Sequence, residues 1–133
     1  MLRLILTFLM AFISISSYAE DCENQPNMAA VRACLEAQSV SGFETQYESL
    51  INLLKKKKLN EAANTLLQSQ KAWLEYRNTS CRYTYHIAAS GTNGSYPQDL
   101  ETNCLADFNT SREKILTRYI KLCEKSKTGC DLK

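Results

Sequence analysis

The stretch Gln70-Lys71-Ala72-Trp73-Leu74-Glu75-Tyr76-Arg77-Asn78-Thr79-Ser80-Cys81 decides how this chain is read, and it contains the only Trp. Trp73, Arg77 and Cys81 recur every four residues, a spacing that aligns them on one face of a helix. That face joins a large aromatic, a guanidinium and a cysteine. A plain amphipathic helix needs only an apolar stripe; this one also asks for a cross-link and a partner for a charge.

Outward from this segment the helical period continues. Leu59, Ala63, Leu66, Trp73 and Arg77 define a helix from about Asn60 to Ala88. Before it, apolar residues at 31, 35, 43, 47, 50, 51 and 54 define another, from about Met28 to Lys57. After a Ser90–Gln98 loop that holds Gly91, Gly94 and Pro97, a third follows through Leu100, Cys104, Phe108, Ile115, Tyr119 and Leu122. No segment alternates apolar and polar residues over a strand length. Short links between consecutive helices favour antiparallel neighbours, so the fold class is all-α: an antiparallel, up-down-up three-helix bundle stapled by disulfides. Gly42 alone interrupts a helical pattern, at ~1 kcal/mol against Ala. The junction at Lys58-Leu59-Asn60 carries no Gly or Pro. Asn60 can cap a new helix there, or the first two helices can join as one bent rod.

Export decides how the cysteines are read. Met1-Leu2-Arg3 is a short basic start, Leu4 to Ile15 is almost wholly apolar, and Ser17-Tyr18-Ala19 offers small residues for a signal peptidase. Residues 1–19 read as a secretory signal peptide, too short in its apolar part to span a bilayer. Residues 20–133 then form one small domain, with a core at about 22–123 and a tail at 124–133, periplasmic or secreted and outside the membrane. The formal charge of +2 falls by one with Arg3. Such a balance lacks the basic excess of a nucleic-acid-binding domain.

All six cysteines (22, 34, 81, 104, 123 and 130) fall after the leader. An even number in an exported small domain implies a disulfide framework. A zinc site is excluded by the missing C-x-x-C pair and by a single histidine, His86. Cys34 stands 26 residues before Asn60 and Cys81 stands 21 after it, so at ~1.5 Å per residue they lie at similar heights. Cys104 is level with Cys81 across the loop. Cys81–Cys104 is therefore a natural clamp, with Cys22–Cys34 tying the N-terminal tail and Cys123–Cys130 hooking the C-terminal one. Because three cysteines share one end, Cys34–Cys81 or Cys22–Cys104 stays open.

Two early cysteines, then Gln70, Trp73, Tyr76, Arg77 and Cys81 in the order Gln-x-x-Trp-x-x-Tyr-Arg-x-x-x-Cys, then a glycine loop, then Cys104 with Arg112 eight residues on: this pattern resembles the LprI-type lysozyme-inhibitor domain. The likeness covers nearly all of the chain after the leader, and Trp73 to Cys81 is its most specific part. It implies a helical, disulfide-stapled, exported bacterial protein whose protein partner is a lysozyme or another peptidoglycan hydrolase. Cys123, Cys130 and the Lys55–Lys58 run are additions to that pattern.

Residue by residue, Trp73 and Tyr76 read as core and Arg77 as structural, bonding carbonyls of the Ser90–Gln98 loop or pairing with Glu101, because a charge near a core needs a partner. Gln70 and Arg112 belong to the same structural motif. Lys55 to Lys58 complement the negative end of a helix. The Asn-x-Ser/Thr triplets at Asn78, Asn93 and Asn109 read as coincidence. The loop is the candidate binding element, through Gly91, Asn93, Gly94, Ser95 and Tyr96, with Asp99 and Glu101 as an acidic rim. Acidic residues gather at its end of the bundle and lysines at the other.

No nucleophile elbow, metal-ligand spacing or phosphate loop is present. The expectation is a non-enzyme without cofactor or metal: an envelope protein that blocks a lysozyme-like glycosidase. The alternative is a periplasmic adaptor that binds a bacterial partner or cell-wall polymer through its lysine-rich end.

Overall fold

The computed structural model describes residues 21–131; the expected leader lies outside them. A single turn of 3-10 helix at Cys22–Asn24 precedes three long helices, α1 (Met28–Lys56), α2 (Asn60–Ala89) and α3 (Tyr96–Lys125). Arg32 of α1 meets Asp99 of α3 at one end, and Lys57 donates to the Ser126 carbonyl at the other. Cys81 and Gln70 of α2 meet Cys104 and Arg112 of α3 in reversed order. So α1 and α3 run in the same direction and α2 runs against them, up-down-up. α3 is the central rod: it packs against both others, while α1 and α2 touch each other least.

Local signals explain where each helix starts. The Asn27 side chain accepts from the Ala30 amide at 3.0 Å, satisfying one of the amides a helix start leaves open. Pro97 sits in the first turn of α3, where its fixed φ suits a helix and its missing N–H costs nothing. That proline starts α3 at Tyr96, so the expected Ser90–Gln98 loop is only residues 90–95. Tyr96, Asp99 and Glu101 stand on the helix instead.

The junction without Gly or Pro is nonetheless a sharp stop. The Leu59 amide donates to the Leu54 carbonyl and the Lys58 amide to that of Lys55, both at 2.9 Å. This is the six-to-one and five-to-two bonding of a Schellman motif, whose pivot takes a left-handed conformation. Lys58 supplies the pivot with φ 61°. The apolar contact such a motif favours is also present: Leu59 packs on the cluster that contains Leu54. The bent rod is therefore excluded by two carbonyl caps and one leucine contact.

The fully apolar core occupies the half of the bundle nearest this turn. Leu50, Ile51, Leu54, Ala63, Leu116 and Cys123 form its buried cluster. At the opposite end the disulfides take over. Cys22 is bonded to Cys34 and Cys81 to Cys104, with Cα atoms 5.5 Å apart in each pair, and Cys123 is bonded to Cys130 in the tail. The Cys34–Cys81 and Cys22–Cys104 alternatives do not occur.

Two substitutions test the helix geometry. A Lys in left-handed backbone is strained by roughly 1–2 kcal/mol, so Lys58→Gly raises stability by about 1 kcal/mol, read as a higher urea midpoint at unchanged slope. A Cβ on Gly42 would come within 2.5 Å of a Glu113 carboxylate oxygen. That atom ends a flexible side chain and can swing away, leaving the better helix propensity of Ala. Gly42→Ala therefore stabilises by up to ~1 kcal/mol.

Candidate functional site

Four of the residues that carry the resemblance, Gln70, Trp73, Arg77 and Arg112, meet at mid-height of the bundle. Gln70, Trp73 and Arg77 lie at i, i+3 and i+7 on α2, which puts them on one stripe. α3 presents Asn109 and Arg112 to them, and α1 presents Ser39 and Phe43. The Arg77 and Arg112 guanidinia lie over the Trp73 ring at 5.3 and 5.4 Å, within cation–π range. Phe43 meets the same ring edge-on at 5.2 Å.

Hydrogen bonds complete the cluster. Arg77 Nη1 donates to Asn109 Oδ1 at 2.7 Å, and Asn109 Nδ2 donates to Ser39 Oγ at 2.9 Å. Ser39 Oγ in turn donates to the Glu36 carbonyl at 2.9 Å. One side chain from each helix thus joins a single chain of bonds around Asn109, which is wholly buried. Beside it, Arg112 Nε donates to Oε1 of buried Gln70 at 3.0 Å, while Arg112 Nη2 is buried without a hydrogen-bond partner. Burial lowers the pKa of both arginines, opposed by Glu36 and Glu44 around Arg77 and by Tyr119 and Tyr47 around Arg112. Guanidinium pKa values start so high that both stay charged at any physiological pH. Two fixed cations, an indole, two amides and the Ser39 hydroxyl are all engaged with one another across the three helices. The cluster is a joint.

Two readings of the motif are corrected here. Arg77 does not reach the α2–α3 loop or Glu101. It lies more than three turns below the loop, level with Asn109, whose amide is the nearer acceptor. Tyr76 is not core: it is 62% exposed, touching the α3 residue Phe108 edge-on at 5.7 Å. It stands one residue before Arg77 and so points about a quarter-turn away from the buried stripe. Asn109 was hidden in sequence by its Asn-x-Ser triplet. Its place three residues before Arg112 and seven before buried Leu116 is the signal that puts it on the inward face.

The expected binding residues gather at the other candidate site, the pole bearing the α2–α3 loop. Gly91, Asn93, Gly94 and Ser95 are exposed, and Tyr96 is 54% exposed. Gly94 makes the reversal with φ 98°. The loop is pinned at its base, where Ser90 Oγ and Thr92 Oγ1 donate to the carbonyls of Ile87 and Ala88 at 2.7 and 2.9 Å. The acidic rim is weaker than expected. Asp99 is paired with Arg32, and Glu101 with Arg82 at 3.1 Å, so both carboxylates are largely cancelled by neighbours. Sequence reasoning missed Tyr83 and Ile87, which are 67% and 56% exposed. Their spacing of four places them on one outward face of α2. With Tyr96 they make this pole more apolar than its charge count suggests.

The described residues form a small helical domain held by three disulfides around a cation–aromatic joint, with its loops displayed at the ends. The chain belongs to the lysozyme inhibitor LprI family, whose pattern matches residues 19–116. No curated protein and no solved structure matches it. The Cys123–Cys130 tail lies beyond the matched segment.

Asn109→Ala strands the Arg77 and Ser39 groups in a closed site. The expected loss is about 2–3 kcal/mol in urea unfolding. Asn78→Ala removes only the acceptor on the exposed side of Arg77, and is expected to cost less than ~1 kcal/mol.

Proposed function

We propose that this protein is exported to the bacterial envelope, periplasmic or secreted, and there binds and inhibits a lysozyme-like peptidoglycan glycosidase without chemistry of its own. The observation that carries the reading is the loop pole: a short glycine turn anchored at its base, flanked by three solvent-facing apolar side chains, on a scaffold rigidified by Cys81–Cys104. Family membership supports the choice of partner. Disulfides throughout the described chain support an oxidising compartment.

The paired state of Asp99 and Glu101 changes how the contact works. A free acidic rim would steer a cationic lysozyme from a distance, and salt would abolish much of that gain. With the rim neutralised, affinity rests on Tyr83, Ile87 and Tyr96. Exposed tyrosines are frequent interface anchors, and truncating such an anchor costs about 2 kcal/mol or more.

Purified oxidised protein at a few-fold molar excess is expected to slow lysis of cell walls by C-type lysozyme, with little change between low and physiological salt. Tyr96→Ala and Tyr83→Ala are expected to weaken inhibition at least ~10-fold while the thermal midpoint holds. Undiminished lysis with several lysozyme types would overturn the proposal. Intact inhibition by both variants would move the contact away from this pole.

A further inference from the structure

The opposite pole has a feature that neither the family nor the inhibitor reading uses. Where α1 and α2 part after their shared turn, a cavity of ≈ 340 Å³ opens over α3. Its walls include Leu50, Leu54, Leu59, Leu66, Tyr119 and Cys130, so all three helices and the tail contribute. Its accessible surface is almost wholly apolar. The cavity is a groove open to solvent along one side, and its volume falls at the lower end of the ~300–1,000 Å³ range of small-molecule sites. Nothing in the fold requires the space. Ala62 and Gly129 line it, and larger side chains at either position would close it.

The surroundings are charged with one sign. Segments 53–61 and 121–131 hold Lys55, Lys56, Lys57, Lys58, Lys121, Lys125 and Lys127 against Glu61, Glu124 and Asp131. A shallow, mostly apolar depression on the surface adjoins the first through the shared residues Leu59 and Ala62, and bears Lys58 together with Asn60, Glu61 and Thr65 at its rim. An oily slot therefore opens beside a lysine-bearing hollow. The two environments lie next to each other, as the two ends of one amphiphile do.

We infer that this pole binds a single-chain anionic amphiphile of the fatty-acid class. The alkyl chain enters the slot between α1 and α2, and the carboxylate rests in the hollow by Lys58. Burial of apolar surface at roughly 25 cal/mol per Å² drives the tail inward, and the lysine excess selects the sign of the head. The tail residues Gly129 and Cys130 that complete the wall lie beyond the segment matched to the family.

Isothermal titration of the oxidised exported protein with sodium dodecanoate, below its micellar concentration, tests the inference. Saturable binding at one molecule per chain is expected. Dodecyltrimethylammonium, with the same tail and a cationic head, should bind at least ten-fold more weakly. Ala62→Trp should abolish dodecanoate binding with helicity and thermal midpoint retained, and Gly129→Leu serves as a second plug should the first misfold. Lys58→Gly should weaken dodecanoate several-fold and leave the cationic analogue unchanged. Absent saturable binding, equal affinity for both heads, or full binding by both plugged variants would overturn the inference. Co-sedimentation with anionic vesicles without uptake of free dodecanoate would assign the pole to a membrane surface, and a dimer that persists in excess dodecanoate would assign the slot to a second copy. Either result overturns it too. Lysis assays with the plugged variants are expected to show unaltered inhibition, so this site and the loop pole stand or fall separately.

Discussion

A guanidinium placed where three helices converge must be satisfied there, and the rest of this structure follows from how that is done. Arg77 cannot be deprotonated and cannot reach bulk water with all its donors. Its inward N–H therefore ends on an acceptor that is itself held in place. Asn109 is that acceptor because it can also donate, to Ser39 on the third helix. Sliding any rod by one turn, ~5.4 Å, would part Arg77 and Ser39 from Asn109 and leave that wholly buried amide unsatisfied, at roughly 1–3 kcal/mol. The joint matters most between α1 and α2, which share the least surface. There Phe43 against Trp73 and the bond through Asn109 set relative height where apolar packing is too thin to do so.

The two ends then solve the same shortage of core by different means. Near the α1–α2 turn, leucines and isoleucine from the helices close around Leu116, and a Schellman cap with Leu59 seals the corner. Toward the loop pole the buried residues are largely cysteines. Cross-links there act on the unfolded chain: closing a loop of about fifteen residues removes roughly 3 kcal/mol of its entropy in the chain-entropy model. A small domain that cannot enlarge its core uses such staples instead. This arrangement leaves the loop pole firm without needing a large apolar interior, and so frees Tyr83, Ile87 and Tyr96 to face solvent.

The architecture was legible because its signals are periodic. Three apolar stripes lead to three helices, and the helix levels lead to Cys81–Cys104, whereas Pro97, read as part of the loop, stands in the first turn of α3. What stayed hidden depended on direction rather than period. Arg77 lies on the same stripe as Trp73, yet its partner was set by height, and counting from the loop favours Glu101 while the helices bring Asn109. Tyr76 is one residue off the stripe, a difference of about 100° that aromatic character masks. Lys58 gave no warning of a left-handed turn, because the motif it serves is recognised by Gly and here rests on Leu54 and Leu59. The ion pairs Arg32–Asp99 and Arg82–Glu101 join residues on different helices, so a count of charges at each pole overstated the acidic field.

These pairings alter what each pole is suited to do. At the loop end, the Arg32–Asp99 and Arg82–Glu101 pairs spend charge inside the protein, and the exposed side chains beside the polar loop include Tyr83, Ile87 and Tyr96. At the turn end the lysines outnumber the acids near them, and one lysine serves a carbonyl rather than a carboxylate. A surface with cancelled charge gains affinity from close apolar fit and is selective by shape; a surface with surplus charge is selective by sign. Gln70, Trp73, Arg77 and Arg112 belong to neither, since they are engaged with one another between the two. The joint holds the rods in register, and the contacts proposed for the two poles lie in residues that it only positions.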